Sequence, residues 1–185
     1  MKRVLAASVL ALILATPASA QAPRLFDQFL SLCDATGVNA DAAGAKARAE
    51  GFVRPPEKYI PAATIPNMRN VKTLWKTFDD GAVVLITGEL PFQLLPGVDA
   101  QACAVIIGPA PANALDPVAA WANVPPVPLG GRNIYFFRQT GGQRQALTGT
   151  ALPDLQAALT AGEVRGLVTA SDNGSATIIL LKPVI

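Results

Sequence analysis

The apolar positions of this chain follow a helical period at its start and a two-residue period through much of the remainder. Phe26, Phe29, Leu30 and Cys33 fall at i, i+3, i+4 and i+7, which sets them on one helix face and turns the Cys33 thiol inward. That helix is expected to end near Thr36-Gly37, where Gly37 can adopt the left-handed cap conformation. A second helix starts at Asn39, a good N-cap, has Asp41 in its first turn, and runs through the Ala-rich Ala40 to Glu50 until Gly51 stops it. Its small residues bury little area alone, so it is expected to lean on the first helix as a hairpin, with Phe52 closing the contact.

Pro55, Pro56, Pro61 and Pro66 then deny residues 54–66 any continuous helix or central strand. Val71 to Phe78 and Ala82 to Glu89 alternate around Asp79-Asp80-Gly81 and predict a β-hairpin, with Asp80-Gly81 suited to a type I′ turn. In that register Trp75 shares the packed face with Val84 and Ile86, and Lys72 stands opposite Glu89 on the wetted one. Gln101 to Ile107 reads as a buried strand carrying Cys103. Asp116 is expected to cap a short helix with Pro117 at its first position and Val118, Trp121 and Ala122 inward, before Pro125, Pro126 and Pro128 end it.

Asn133 to Gln139 is apolar on both faces and belongs well inside a sheet; Gly141-Gly142 turns the chain back through Arg144 to Leu147. Leu152, Leu155, Ala158 and Leu159 form a last amphipathic helix, opened by Pro153 and closed by Gly162. Arg165 to Ala170 and Ser175 to Lys182 make a final hairpin around Asp172-Asn173-Gly174, and Ile178 to Leu181, apolar on both faces, predicts a central or covered strand. The pattern predicts one α+β domain over residues 21–185: an N-terminal helical pair, a mostly antiparallel sheet of about six or seven strands, and two further helices.

The first twenty residues change the picture of where this domain resides. Lys2 and Arg3, an apolar run from Val4 to Ala15, Pro17 and the triplet Ala18-Ser19-Ala20 have the form of a secretory signal peptide cut before Gln21. The apolar run is shorter than the roughly 20 residues a bilayer span requires, and no membrane span is expected after cleavage. Of fifteen basic and thirteen acidic residues, the signal holds two basic ones, so the mature chain is neutral. That neutrality gives no electrostatic reason to expect nucleic acid.

The chain has two cysteines and no histidine. In an exported protein the cysteines permit one disulfide, Cys33 to Cys103, the alternative being two buried thiols that never meet. Lack of histidine removes Ser-His-Asp and Cys-His nucleophile systems and the usual zinc sites with imidazole ligands. Only Ser31, Ser171 and Ser175 remain after the signal, none in G-x-S-x-G or S-x-x-K. No catalytic, cofactor-binding or metal residue is assigned. Asp79 and Asp80 read as turn formers.

One charge asymmetry stands out: Pro117 to Pro153 contains Arg132, Arg138 and Arg144 and no acidic residue. These are candidate anion or partner contacts, set against the alternative of solvated edge charges. With a three-residue loop Arg138 and Arg144 would face each other; with a two-residue loop they would point to opposite faces.

The signal-like start, the helical cysteine before Thr36-Gly37, the Ala-rich helix ending in Gly51-Phe52 and the Cys103-x-Val105 strand together resemble a group of small exported proteins of Gram-negative bacteria whose function is uncharacterised. The resemblance covers about the first half of the mature chain and implies export and the disulfide; it implies no catalytic residues. The expected function is a soluble periplasmic or secreted, non-enzymatic binding or interaction protein without a cofactor, its partner an envelope protein or a small ligand. The rival is a histidine-independent hydrolase or transferase built on Asp79, Asp80, Glu89 and the arginines. Alkylation of exported material before and after reduction tests the bridge: modification is expected only after reduction, and two thiols alkylated without it would refute the disulfide.

Overall fold

In a computed structural model, residues 21–59, 65–92 and 97–184 are described. The expected signal, residues 1–20, and Pro61 lie outside them. Among the described residues the chain forms four α-helices and one eight-stranded antiparallel sheet, an α+β fold. No helix among them is long and apolar enough to cross a membrane.

Helix α1 (Gln21–Phe29) continues into a π-helical turn, Leu30–Asp34. The Ala35 N–H donates to Leu30 O at 2.9 Å, five residues back. The wider turn brings Leu32 and Cys33 inward together, and both are fully buried beside Leu25 and Phe29, whereas Phe26 and Leu30 are only partly so. Helix α2 (Ala40–Ala49) begins as its cap predicts, with Asn39 Oδ1 accepting from the Ala42 N–H at 2.9 Å. Its buried side is Ala43, Gly44 and Ala47, small enough for close approach to the sheet. Lys76 Nζ donates to Glu50 O at 2.7 Å at its end.

The strands are β1 (Arg69–Phe78), β2 (Gly81–Pro91), β3 (Asp99–Gly108), β4 (Val127–Leu129), β5 (Arg132–Thr140), β6 (Gln143–Ala146), β7 (Val164–Asp172) and β8 (Ser175–Val184). Their order is β1-β2-β3-β8-β7-β5-β4, with β6 also paired to β5. The expected six or seven strands become eight through β4, which tolerates Pro128 because it pairs on one side only. Strand β8 lies between β3 and β7, the central place its apolar run demands.

Helices α1, α2 and α3 (Asp116–Ala122) cover one face of the sheet. Val83, Leu85, Cys103, Val105, Leu167, Ile178 and Leu180 are buried there with Leu25, Phe29, Leu32 and Val118. Tyr135 joins them, its phenol pushed up from the ordinary value by burial, with a Thr169 hydrogen bond opposing. Helix α4 (Leu152–Thr160) packs at one end of the opposite face, where Ala158 meets Phe92, Ala100 and Val164.

Three local expectations are corrected. The face of the first hairpin that bears Trp75, Val84 and Ile86 is not the one beneath the helices, which rest on Val83 and Leu85. A bulge between Arg69 and Lys72, with Asn70 at φ 51°, sets Lys72 opposite Thr87 and Arg69 opposite Glu89. The hairpin loop is Asp79-Asp80, because Gly81 pairs with Phe78; a Cβ at Gly81 would stand 2.6 Å from Gly108 O, so glycine there serves a close backbone approach instead of a turn. In α3, Asp116 is the first helical residue and Leu115 the cap.

Cys33 and Cys103 are joined by a disulfide with a Cα–Cα distance of 5.5 Å. It links the π-helical turn to the third strand of the sheet's order and closes a loop across 70 residues. By the chain-entropy account such a link stabilises by about 4 kcal/mol. The Cys33→Ala, Cys103→Ala double variant is therefore expected to lose about 4 kcal/mol in urea unfolding; unchanged stability would show that the helical layer docks without the link.

Candidate functional site

Two regions carry the chemistry: the arginine-bearing hairpin β5–β6 and the sheet face opposite helices α1–α3. The loop of the hairpin is the two-residue Gly141-Gly142, both at positive φ, so Gln139 pairs with Arg144 and Arg138 with Gln145. Arg138 and Arg144 consequently start from opposite faces of the hairpin. Arg132 shares a face with Arg138, six residues away, roughly 20 Å along an extended strand. Arg138 and Arg144 nonetheless both line one shallow surface depression of about 480 Å³, and Arg132 is not among its lining residues.

Each has its own setting. Arg138 Nε donates to Glu163 Oε2 at 2.6 Å. It also lines two shallow surface depressions of about 480 and 420 Å³. Arg132 is exposed. Arg144 is largely buried, with 13% of its side chain accessible. Its guanidinium carbon lies 3.7 Å above the Trp121 ring, Nη1 donates to Trp121 O at 3.3 Å, and Nη2 lies 3.5 Å from Asp34 Oδ2. Phe29 and Phe137 meet Trp121 edge-on at 5.0 and 6.0 Å. Arg144 Nε is buried and has no hydrogen-bond partner among the described residues.

Asp34 also serves Arg165, whose Nη1 donates to Gly162 O and Val164 O at 2.6 and 2.8 Å. Burial lowers both guanidinium pKa values from their ordinary level, and the Asp34 carboxylate opposes the shift. A cation stacked on an aromatic face and bridged to a helix end is an anchor: Arg144 fastens the outer hairpin to the helical layer. Its partners, Asp34 and Trp121, are remote in sequence, and no local signal could have joined them to Arg144.

The carboxylates of the enzymatic rival are dispersed. Asp80 pairs with Arg24 at 2.5 Å, Asp79 is exposed, and Glu89 accepts from Asn70 Nδ2 at 3.0 Å at the other end of β2, roughly 26 Å away along the strand. Among the described residues no three His, Cys, Asp or Glu side chains gather as metal ligands would.

The sheet face away from α1–α3 is a different kind of surface. One transverse row runs from Val53, bridged to Trp75, through Val84 to Ile106. It continues through Thr177, Ala170 and Arg132 to Leu129. A parallel row runs from Thr73 through Ile86 and Ala104 to Ile179, then Val168, Ile134 and Val127. These fifteen positions include one charge, Arg132. Among the described residues, none of them joins either apolar core. Ile86 and Ala104 are fully buried, most of the others are half-buried, and Val53, Val127 and Leu129 are 58%, 50% and 59% exposed. The two-sided apolar character of β5 and β8 signalled this face as clearly as it signalled centrality.

Comparison with family models, curated proteins and solved structures gives no match. The arginine anchor is testable by itself. Arg144→Ala is expected to cost about 2 kcal/mol of stability, from lost stacking on Trp121 and the loss of one of the two arginines that face Asp34. Arg144→Lys should restore less than half, because an ammonium cannot lie flat on the indole while bridging Asp34. Chemical denaturation of both variants checks this; an Arg144→Ala protein as stable as the parent would refute the anchor.

Proposed function

We propose that this chain is an exported, non-enzymatic binding or interaction protein, acting in the periplasm or outside the cell through the sheet face opposite helices α1–α3. The observation that carries the reading is the pair of transverse rows across that face, fifteen positions with one charge. Apolar faces of this breadth on soluble proteins mark interaction sites. The disulfide supports an oxidising compartment, as does the signal-like start of the sequence. The dispersal of Asp79, Asp80 and Glu89 speaks against the hydrolytic rival, whose chemistry needs an acid and a base within reach of one bond.

A photoreactive amino acid placed at Thr177 on this face, with Ala45 on the exposed side of α2 as control, tests the reading in native cells. Adducts are expected from position 177 and not from position 45. Adducts from position 45 alone, or none from either, would overturn it.

A further inference from the structure

The two edges of the sheet are finished differently. Strand β5 fixes which main-chain groups point outward: the Gln139 N–H donates to Glu163 O at 2.8 Å on the β7 side, and the Leu147 N–H donates to Phe136 O at 3.2 Å on the other. Such groups alternate along a strand. Gln143 and Gln145 therefore bond to Thr140 and Arg138, while the N–H and C=O groups of Arg144 and Ala146 point away from the sheet. The same parity turns Pro128 of β4 outward, because it stands opposite Asn133, and proline has no N–H to offer there. At the far edge Val53 exchanges hydrogen bonds of 2.9 and 2.8 Å with Trp75 of β1. Strand β1 also carries Lys72 and Lys76, charges of the kind that keep edges unpaired. Strand β6 contains neither proline nor lysine, and among the described residues the outward groups of Arg144 and Ala146 meet no partner.

We propose that β6 is a docking edge for an extended, acidic peptide segment of another protein, which adds to the sheet as a further strand. This contact is separate from the two rows described above. In strand addition the main chain supplies affinity and side-chain depressions supply selectivity. Every residue of β6 lines one of two adjoining depressions. The first is lined by Arg138, Thr140, Gln143, Arg144 and Gln145, two cations and no carboxylate. Arg138 commits Nε to Glu163, which leaves both Nη groups for a carboxylate of the partner. The second depression shares Arg138 and Gln145 and continues past Ala146 and Leu147 to Ala151 and Ala158, with Asp154 at its border. Leu152, next in the chain after Ala151, is 80% exposed. An incoming strand therefore sets an acidic side chain at the turn end of β6 and a small aliphatic one toward Leu147.

Charge separates this partner from a second copy. Pairing β6 with β6 of another molecule would bring Arg138 and Arg144 of both copies together, whereas an acidic strand neutralises them. The stack of Arg144 on Trp121 holds the hairpin to the helical layer, so the edge is ordered before the partner arrives.

The test uses the mature, disulfide-intact protein, amide NMR and a blocked hexapeptide, Thr-Glu-Thr-Val-Thr-Thr, at up to millimolar concentration. In the free protein the Arg144 and Ala146 amides are expected to exchange with solvent about tenfold faster than that of Gln145. The peptide should shift and slow both, and replacing its glutamate by lysine should weaken binding about tenfold. Ala146→Pro removes one outward donor without touching the pairing to β5 and should weaken the peptide about tenfold, with an unchanged circular dichroism spectrum. Should that variant misfold, Gln145→Glu, an exposed change that sets a carboxylate against the peptide's own, should weaken it about fivefold. Amides already slow in the free protein, no response to the peptide, or equal binding of its lysine form would overturn the proposal. Protection that appears on raising the protein concentration alone would assign the edge to a second copy and overturn it as well. The crosslinking outcome at Thr177 is independent of each of these results.

Discussion

A covalent bond between Cys33 and Cys103 holds together two layers that have unequal means of holding themselves. The sheet is self-sufficient: β2, β3, β8 and β7 are long, continuously paired and fully buried toward the helices. The helical layer is weaker. Helix α2 presents alanines and a glycine to its neighbours, and such a surface buries about half the area that leucines would. The π-helical turn carries Cys33, which the disulfide ties to the third strand of the sheet's order.

Around that link, charged groups tie the periphery. Arg24 rests 4.1 Å over the Phe78 ring and pairs with Asp80 at the β1–β2 turn. Arg144 rests on Trp121 and reaches Asp34. In each case an arginine covers an aromatic ring with its flat face and satisfies a carboxylate with its edge, a division of labour that lysine cannot perform. Arg144 is thereby committed to structure, and strand geometry separates Arg132 from Arg138. Among the described residues, the apolar groups of the two rows on the sheet face opposite α1–α3 belong to neither core.

Much of the fold could be read along the chain because its determinants are local. Asn39 caps α2, Gly162 closes the turn after α4, Asn173-Gly174 turns β7 into β8, and the double-sided run Ile178 to Leu181 demands a central strand. Readings failed where a distant group decided the outcome. Gly81 is dictated by the approach of Gly108 and not by its own turn; Lys72 loses its place opposite Glu89 to a bulge at Asn70; β4 exists because an edge of β5 was free to accept a strand containing proline.

The same division applies to the site. Alternation alone established which residues share a face of the sheet, and a chain with two cysteines left one intrachain pairing. Alternation is symmetric, however, and assigns no cover to either face. Only the packed structure showed that α1–α3 lie over Leu85 and Val105 while the Val84–Ile106 face stays outside both cores, because that choice follows from where the disulfide and the helix connections bring the helical layer down. Likewise the loop length at Gly141-Gly142 was open until pairing of Gln139 with Arg144 sent Arg138 and Arg144 to opposite sides, a one-residue difference in register that reverses every side chain beyond it.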